Sequence, residues 1–347
     1  MDRPTHPRRP SACAYACSTV QGSCTSRDMG RMAMTLPGLV DVSIAIPVYN
    51  GERYLTESLL SALGQTVQPR AVTVFDNCST DRTVELARRL LPATSIRVAA
   101  SNQGAVENFN RSLEDSQGKY FLWLAADDRL HPRHLERCLE QLERSPHAAA
   151  CLPGILYIDP HGSPGRTQLD GVLGSSPARP RLRAFLRRRR WTEIYCLYRR
   201  EALLQSPAFT KDYGTDVLLT WWFLLRGPLA VVEEPLLEYR EFPSKSVVDM
   251  ASSLGVGQSM LQWRKARLWR RLWEECSATD VEPGTRRIAR QELVLCLFGP
   301  DWRMHLREDL TLALSHLEAR GSGLAPIVVR ALAVARHRAP RRRWRRK

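Results

Sequence analysis

From Val40 onward, short apolar runs alternate with stretches in which apolar residues recur at helical spacing. "VDVSIAIPVYNG" (40–51) predicts a buried strand running into a loop, and "GERYLTESLLSALGQ" predicts a helix with Leu55, Leu59, Leu60 and Leu63 on its apolar stripe. "AVTVFDN" is a second strand, and "CSTDRTVELARRLL" a helix opened by Ser79 or Thr80 as N-cap. "IRVAAS" is a third strand, "NQGAVENFNRSLEDSQG" a helix, and "KYFLWLAADD" a fourth strand. Strands alternating with helices predict an α/β fold with a parallel sheet covered on both faces, since each crossover must return the chain to the same strand direction. In such sheets ligands bind beyond the carboxyl ends of the strands.

Those ends carry groups that a core does not need. Strand one delivers Pro47, Tyr49 and Asn50, strand two Asp76 and Asn77, and strand four the adjacent acids Asp127 and Asp128. Each has a plain structural role open to it. Asp76 suits an Asx turn, Asp128 suits a cap for a helix over His134 to Leu142, and Asp216, further on, suits an N-cap for "VLLTWWFLL". Acids at successive strand ends are nevertheless hard to explain one by one. Converging carboxylates without a nearby Lys repel each other and take up protons unless something positive lies between them. A magnesium or manganese ion carrying a diphosphate would meet that need with hard oxygen ligands.

The composition narrows the classes further. With 347 residues, 44% hydrophobic and 25% charged, the chain has the make-up of a soluble globular protein of one or two domains. The net charge of +15 is uneven, because "RHRAPRRRWRRK" (336–347) holds much of it; without that tail the remainder is about half as basic. Cys78, Cys138, Cys151, Cys196, Cys276 and Cys296 are scattered, which predicts reduced thiols and a cytoplasmic setting. Residues 1–38 show no periodicity and no signal-like core, and are expected to be disordered. No run of about 18 apolar residues occurs, so no membrane span is expected. A nucleic-acid-binding role would suit the basic tail, but carboxylates along the sheet edge would repel phosphates.

Four motifs together, "VSIAIPVYNGERYLTESLLSALGQT", "VTVFDNCSTDRT", "NQGAVENFNRSLEDSQGKYFLWLAADDRLHP" and "DYGTDVLLTWWFLLRGPLAVVEEPLLEYR", resemble in order and spacing the family 2 inverting glycosyltransferases. The resemblance spans about residues 41–246. It implies a GT-A fold, a Rossmann-like, mostly parallel sheet flanked by helices, here followed by a helical extension. The implied layout is a GT-A domain over 39–246 (nucleotide part 39–130, acceptor part 131–246), helices over 247–335 and a basic tail over 336–347. The implied donor is a nucleotide-diphosphate sugar and the acceptor a hydroxyl of a glycan or lipid-linked precursor in cell-surface polysaccharide synthesis. A binder of sugar nucleotides without activity is the alternative.

By the same resemblance, Asp76 contacts the base, and Asp127 and Asp128 match the DXD-like pair that holds ribose and a divalent metal. Pro47, Tyr49, Asn50, Asn77, Asn102, Gly104 and Asn110 fall in the nucleotide-sugar site, and Asp216 stands where the family places its catalytic base. "FDNCS" departs from the usual loop in Phe75 and Cys78, and Phe109 and Phe242 stand at positions more often polar. The Gln-x-x-Arg-Trp signature of processive synthases is lacking: "RRRRW" (187–191) keeps only its last two letters, which favours transfer of single residues.

The basic stretch 178–203 is expected either to receive an anionic or lipid-pyrophosphate acceptor or to be a solvated helix face. Leu261, Lys265, Leu268, Trp269, Leu272, Trp273 and Cys276 mark one amphipathic surface, and "GLAPIVVRALAVARHR" another. Either packing on the catalytic domain or attachment to an anionic membrane surface, aided by the terminal "RRRWRRK" with Trp344, would use them.

Overall fold

The computed structural model describes residues 38–187, 192–242 and 264–297. Expectations for residues 1–37, for most of "RRRRW", for Leu261, for "GLAPIVVRALAVARHR" and for the basic tail lie outside these residues. The first half follows the predicted alternation: β1 (Leu39–Val48), α1 (Leu55–Leu63), β2 (Gln68–Asp76), α2 (Thr83–Leu90), β3 (Ile96–Val98), α3 (Ala105–Glu114) and β4 (Tyr120–Trp123). Then come β5 (Arg129–Leu130), α4 (His134–Arg144), β6 (Ala150–Ile158), β7 (Pro164–Gln168), α5 (Ala178–Leu186), β8 (Leu197–Arg199) and α6 (Arg200–Leu204). The described chain finishes with α7 (Thr215–Arg226), β9 (Ala230–Arg240), α8 (Arg264–Glu275) and α9 (Pro283–Leu297).

The strands form one mixed sheet in the order β3-β2-β1-β4-β8-β6-β9-β5, with β7 on β6. β3, β2, β1 and β4 are mutually parallel. β8 runs antiparallel between β4 and β6, and β9 is parallel to β6. Side chains alternate between two cores, one on each face, as the period of two demands. Val42, Ile44, Ile46, Leu122 and Val74 meet α1 and α4 through Leu55, Leu59, Leu135 and Leu142. Ala45, Phe75, Phe121 and Trp123 face the other way, into a core shared with Leu182, Phe185, Trp221, Leu268, Leu272 and Leu293. The apolar stripe of α8 therefore packs on α7, where the Trp221 indole N–H donates to the Leu272 carbonyl at 3.1 Å.

Several local expectations need correction. Leu60 is exposed, and the buried face of α1 is Leu55, Ser58, Leu59 and Ala62. Neither Ser79 nor Thr80 caps α2; the helix begins at Thr83, whose backbone N–H is held by the Asp81 carboxylate at 3.0 Å. Asp128 does not cap α4, which follows Arg133. Gly214, not Asp216, precedes the first residue of α7, which places Asp216 in the first turn.

Two glycines shape the second half. At Gly154 the β6–β9 register slips, because β9 carries extra residues around Glu234, and a Cβ at Gly154 would lie 2.5 Å from the Glu234 carbonyl oxygen. The bulge bends β9 so that its last residues pair with β5, only a few residues after β4. The sheet thereby curls, and the ends of β4 and β9 meet. Gly214 has a φ of 76°, and a Cβ there would lie 2.6 Å from the Leu268 side chain.

Candidate active site

The carboxyl ends of β2, β1 and β4 lie side by side, since β1 pairs with both of the others. At the end of β2, Asp76 is fully buried. One of its carboxylate oxygens accepts the Ser79 N–H at 2.9 Å, the turn foreseen for it. The other, Oδ1, is buried without a partner. Such an oxygen costs about 1–3 kcal/mol, so a donor group on a ligand is its natural complement. Asn77 links this strand end to the loop before α3: its amide donates to Asn102 Oδ1 (2.8 Å) and the Gly104 carbonyl (3.1 Å) and accepts the Gln103 N–H (3.1 Å).

The loop after β1 is stapled to the loop before α2. The Asn50 N–H donates to Ser79 Oγ (2.9 Å), Asn50 Oδ1 accepts the Thr80 N–H (2.8 Å), and the Gly51 N–H donates to Thr83 Oγ1 (2.8 Å). Asn50 and Cys78 both take positive φ, a conformation Asn tolerates and Cys adopts seldom. Tyr49 is exposed beside this staple, and Pro47 is buried within β1.

Asp127 and Asp128 follow β4 in a loop held by α1, where Ser58 Oγ donates to the Ala125 carbonyl at 3.0 Å and Ser61 Oγ accepts the Leu130 N–H at 3.0 Å. Asp127 is half-buried and Asp128 buried. Asp128 Oδ1 accepts the Arg240 N–H at 2.8 Å, across the curl of the sheet, whereas its Oδ2 is buried without a partner. Burial pushes the Asp128 carboxyl well above the ordinary carboxylate range, and the neighbouring Asp127 charge adds to the effect. The Arg240 N–H and guanidinium oppose it.

Arg240 is the residue that sequence reasoning passed over. Its side chain is buried and donates to the Asp127 carbonyl (2.8 Å), to the Asp159 and Pro160 carbonyls (3.3 Å each) and to Glu57 Oε2 (2.9 Å), while its guanidinium lies 4.3 Å from the Tyr54 ring centroid. A lone Arg closing the apolar strand "AVVEEPLLEYR" was the signal that could have found it.

Asp216 lies near the N-terminus of α7. Burial raises its carboxyl above the ordinary value, and the backbone N–H groups of the first helical turn counter this in part. Two tyrosines in mutual contact, Tyr195 and Tyr239, are influenced by both Asp216 and the acid pair. The phenols of both are raised by burial and then by Asp127, Asp128 and Asp216, so both rings lie within electrostatic reach of all three acids.

Asn110 lies on α3 and is engaged with the backbone of Phe209. Its amide donates to the Phe209 carbonyl at 2.9 Å and accepts the Phe209 N–H at 3.0 Å, tying α3 to the loop before α7. Among the described residues of the basic stretch 178–203, several Arg side chains are engaged within the fold. Arg179 and Arg183 pair with the buried Glu292, Arg181 donates to the Leu224, Ser175 and Ser176 carbonyls, and Arg199 to those of Ala148 and Leu142.

Comparison with known proteins bears on this arrangement. The model of the family described as glycosyl transferase family 2 matches residues 43–205. That segment belongs to glycosyl transferase family 2. An uncharacterized glycosyltransferase of Haemophilus influenzae is 34% identical over 101 residues, 28% of this chain and 40% of the relative. The putative glycosyltransferase EpsE of Bacillus subtilis is 30% identical over 135 residues, 38% of this chain and 49% of EpsE. The chain thus spans less than half the length of these relatives. Among solved structures, S. aureus TarS 1–349 in complex with UDP-GlcNAc has a TM-score of 0.55 at 21% identity, covering 73% of this chain and 72% of that one. The mannosyltransferase PcManGT from Pyrobaculum calidifontis, in complex with GDP-Man and Mn2+, has a TM-score of 0.50 at 17% identity, covering 89% of this chain and 85% of that one. The family 2 segment therefore sits in a GT-A fold, a curled sheet flanked by helices.

Among the described residues, no group of three or more His, Cys, Asp or Glu side chains is placed to hold a metal ion alone, and no helix is long and apolar enough to cross a membrane. Two carboxylates are nevertheless enough for magnesium or manganese when substrate phosphates complete the shell. The unpartnered Oδ2 of Asp128 beside Asp127 fits such an ion.

Proposed function

We propose that the protein is an inverting, non-processive glycosyltransferase that moves a sugar from a nucleotide-diphosphate donor to a hydroxyl of a glycan or lipid-linked acceptor. The observation that carries this reading is that Asp127, Asp128 and Asp216 all lie within electrostatic reach of the same two side chains, Tyr195 and Tyr239, whose rings meet at 6.2 Å between centroids. The nucleoside lies at the ends of β1 and β2, its base hydrogen-bonded to Asp76 Oδ1 and its ribose near Asn102, Gly104 and Asp127. Asp127 and Asp128 would hold a divalent ion, which when bound would offset the charge that grows on the leaving group. Asp216 takes the proton of the acceptor hydroxyl as that oxygen bonds to the anomeric carbon, and the bond from that carbon to the diphosphate oxygen breaks on the opposite face. A raised carboxyl suits this role, because a stronger base accepts the proton more readily once ionised. UDP-GlcNAc in TarS and GDP-Man in PcManGT support a sugar nucleotide as donor without fixing its base.

A panel of UDP-, GDP- and dTDP-hexoses with Mn2+ tests the reading, using a chromatographic assay for released nucleoside diphosphate. The wild type is expected to turn over one donor class. Asp216→Asn is expected to lose at least about a thousandfold in kcat, as loss of a general base implies, while calorimetry finds donor binding intact. Turnover retained in Asp216→Asn would sink the assignment.

A further inference from the structure

We propose that Tyr195 and Tyr239 form the wall that holds the transferred sugar ring between the acid pair and Asp216, each phenol donating a hydrogen bond to a sugar hydroxyl. The proposal rests on the glycosyltransferase reading above and adds the residues that recognise the sugar.

The two rings belong to different elements, and each is fixed by its own surroundings. Tyr239 lies on β9 one residue before Arg240, whose N–H holds Asp128, so its Cα is tied to the acid end of the cleft. Tyr157, opposite Tyr239 in the β6–β9 register, packs edge-on against it at 5.5 Å between centroids. Tyr157 is itself anchored, since its hydroxyl donates to Gln168 Oε1 at 2.8 Å and the Arg166 guanidinium lies 3.3 Å from its ring centroid. Tyr195 closes the short 3-10 turn Glu193–Tyr195, which packs on α7 and so belongs to the base end. That turn is rigid: the Tyr195 N–H donates to the Thr192 carbonyl at 3.2 Å, and the Tyr198 hydroxyl donates to the Glu193 carbonyl at 2.9 Å. The rings of Tyr195 and Tyr239 meet at 6.2 Å between centroids, tilted by 47°, and both are half-buried.

In the displacement above, the anomeric carbon must lie between the diphosphate and the base. Tyr239 is tied to the acid end through its neighbour Arg240, Tyr195 sits on the turn that packs on α7, and the two rings are in contact, which assigns the pair to that interval. Carbohydrate sites combine an apolar surface for the C–H face of the ring with a few placed polar groups, and two tyrosines supply both. A tyrosine phenol is protonated at neutral pH, so each can donate a hydrogen bond to a sugar hydroxyl. Proton removal is left to Asp216, and sugar recognition falls to the tyrosines.

Tyr195→Phe and Tyr239→Phe keep ring and packing and remove one hydroxyl each. With the best donor of the hexose panel, each is expected to lower kcat/KM for transfer about tenfold, the effect of one well-made hydrogen bond of about 1.4 kcal/mol. The affinity for the free nucleoside diphosphate, by calorimetry, should stay within twofold. Monodeoxy analogues of that donor identify the contact. One analogue should cost the wild type about tenfold and the matching Phe variant almost nothing, because the partner is already gone. Phe variants that transfer all donors at the wild-type rate overturn the proposal. So does a deoxy penalty of equal size in wild type and variant, or a matching loss of nucleoside diphosphate affinity. A wild type that transfers nothing from the panel instead overturns the function reading on which the proposal depends.

Discussion

Arg240 shows how one side chain can organise a site it need not touch chemically. Its guanidinium joins the Asp127 carbonyl, two carbonyls of the 159–160 turn and Glu57, and its backbone N–H fixes Asp128. Glu57 is itself half-exposed, so the ion pair contributes less than the carbonyl contacts, which lie in the interior. Arg240→Lys keeps the charge but lacks the fork that reaches several acceptors at once. It is expected to fold, with an apparent Mn2+ requirement raised about tenfold, equivalent to about 1.4 kcal/mol; nucleoside diphosphate binding measured without metal should not change. An unaltered Mn2+ titration would remove Arg240 from the site.

At this scale the sequence was informative about acids and silent about what holds them. Asp76, Asp127 and Asp128 stood out because charges end apolar strands. Arg240 also ends one, yet its partners lie 80 to 183 residues away in sequence. Tyr195 and Tyr239 were invisible for another reason: an aromatic residue in or beside a strand looks like core until its neighbours are known.

Among the elements, α8 bears most directly on the Asp216 turn, although it lies outside the family 2 segment. Leu268 covers Gly214 just before Asp216, and Asp212 pairs with Arg267 at 3.2 Å and Arg271 at 3.8 Å. Arg271 also donates to Thr210 Oγ1 at 2.8 Å. The helix thus closes over the turn that presents Asp216. Leu268→Ala should cost about 2–5 kcal/mol of stability through the cavity it leaves. It should also admit water near Asp216, which lowers the carboxyl toward its ordinary value. The acid limb of kcat/KM is then expected to move to lower pH, with a smaller maximal rate. A pH profile identical to wild type would confine Leu268 to a packing role.

The amphipathic pattern of α8 was readable in sequence, because Leu268, Leu272 and Cys276 fall on one face. The pattern fixes the face but not its partner, and packing on α7 answers that question for this helix. Sequence also misplaced the start of α2. Ser79 and Thr80 have good capping chemistry, and the staple to Asn50 claims them first.

Across the whole molecule, two sets of acids pull stability in opposite directions. Asp81, Asp159, Asp280, Glu234 and Glu292 sit below their ordinary values through hydrogen bonds and Arg partners; they stabilise the fold above the unfolded carboxylate range and lose that contribution as the pH falls. Asp128 and Asp216 sit above theirs, so the folded state holds their protons longer than the unfolded chain does. Their effect is a loss of stability as the pH rises from the ordinary value of 3.8 to their raised values. A cation beside an ionised Asp128 would recover part of that loss. Mn2+ is therefore expected to raise the melting temperature at pH 7.5 and to leave it nearly unchanged at pH 4.5, by calorimetric scan. Asp128→Asn should be more stable than wild type at pH 7.5 and insensitive to Mn2+. A Mn2+ shift of equal size at both pH values would place the ion elsewhere.

The parallel half of the sheet was legible from period and composition alone. The curl was not, because it depends on the register slip at Gly154 and on β5 finding β9 instead of a neighbour nearer in sequence. That pairing also bears on the order of events during synthesis. Asp127 and Asp128 emerge from the ribosome just after β4, but the strand that fixes them is made about a hundred residues later. Long-range pairing of this kind forms late and slowly. A nascent chain that stops short of β9 holds Asp127 and Asp128 without Arg240, and their anchor arrives only with that strand.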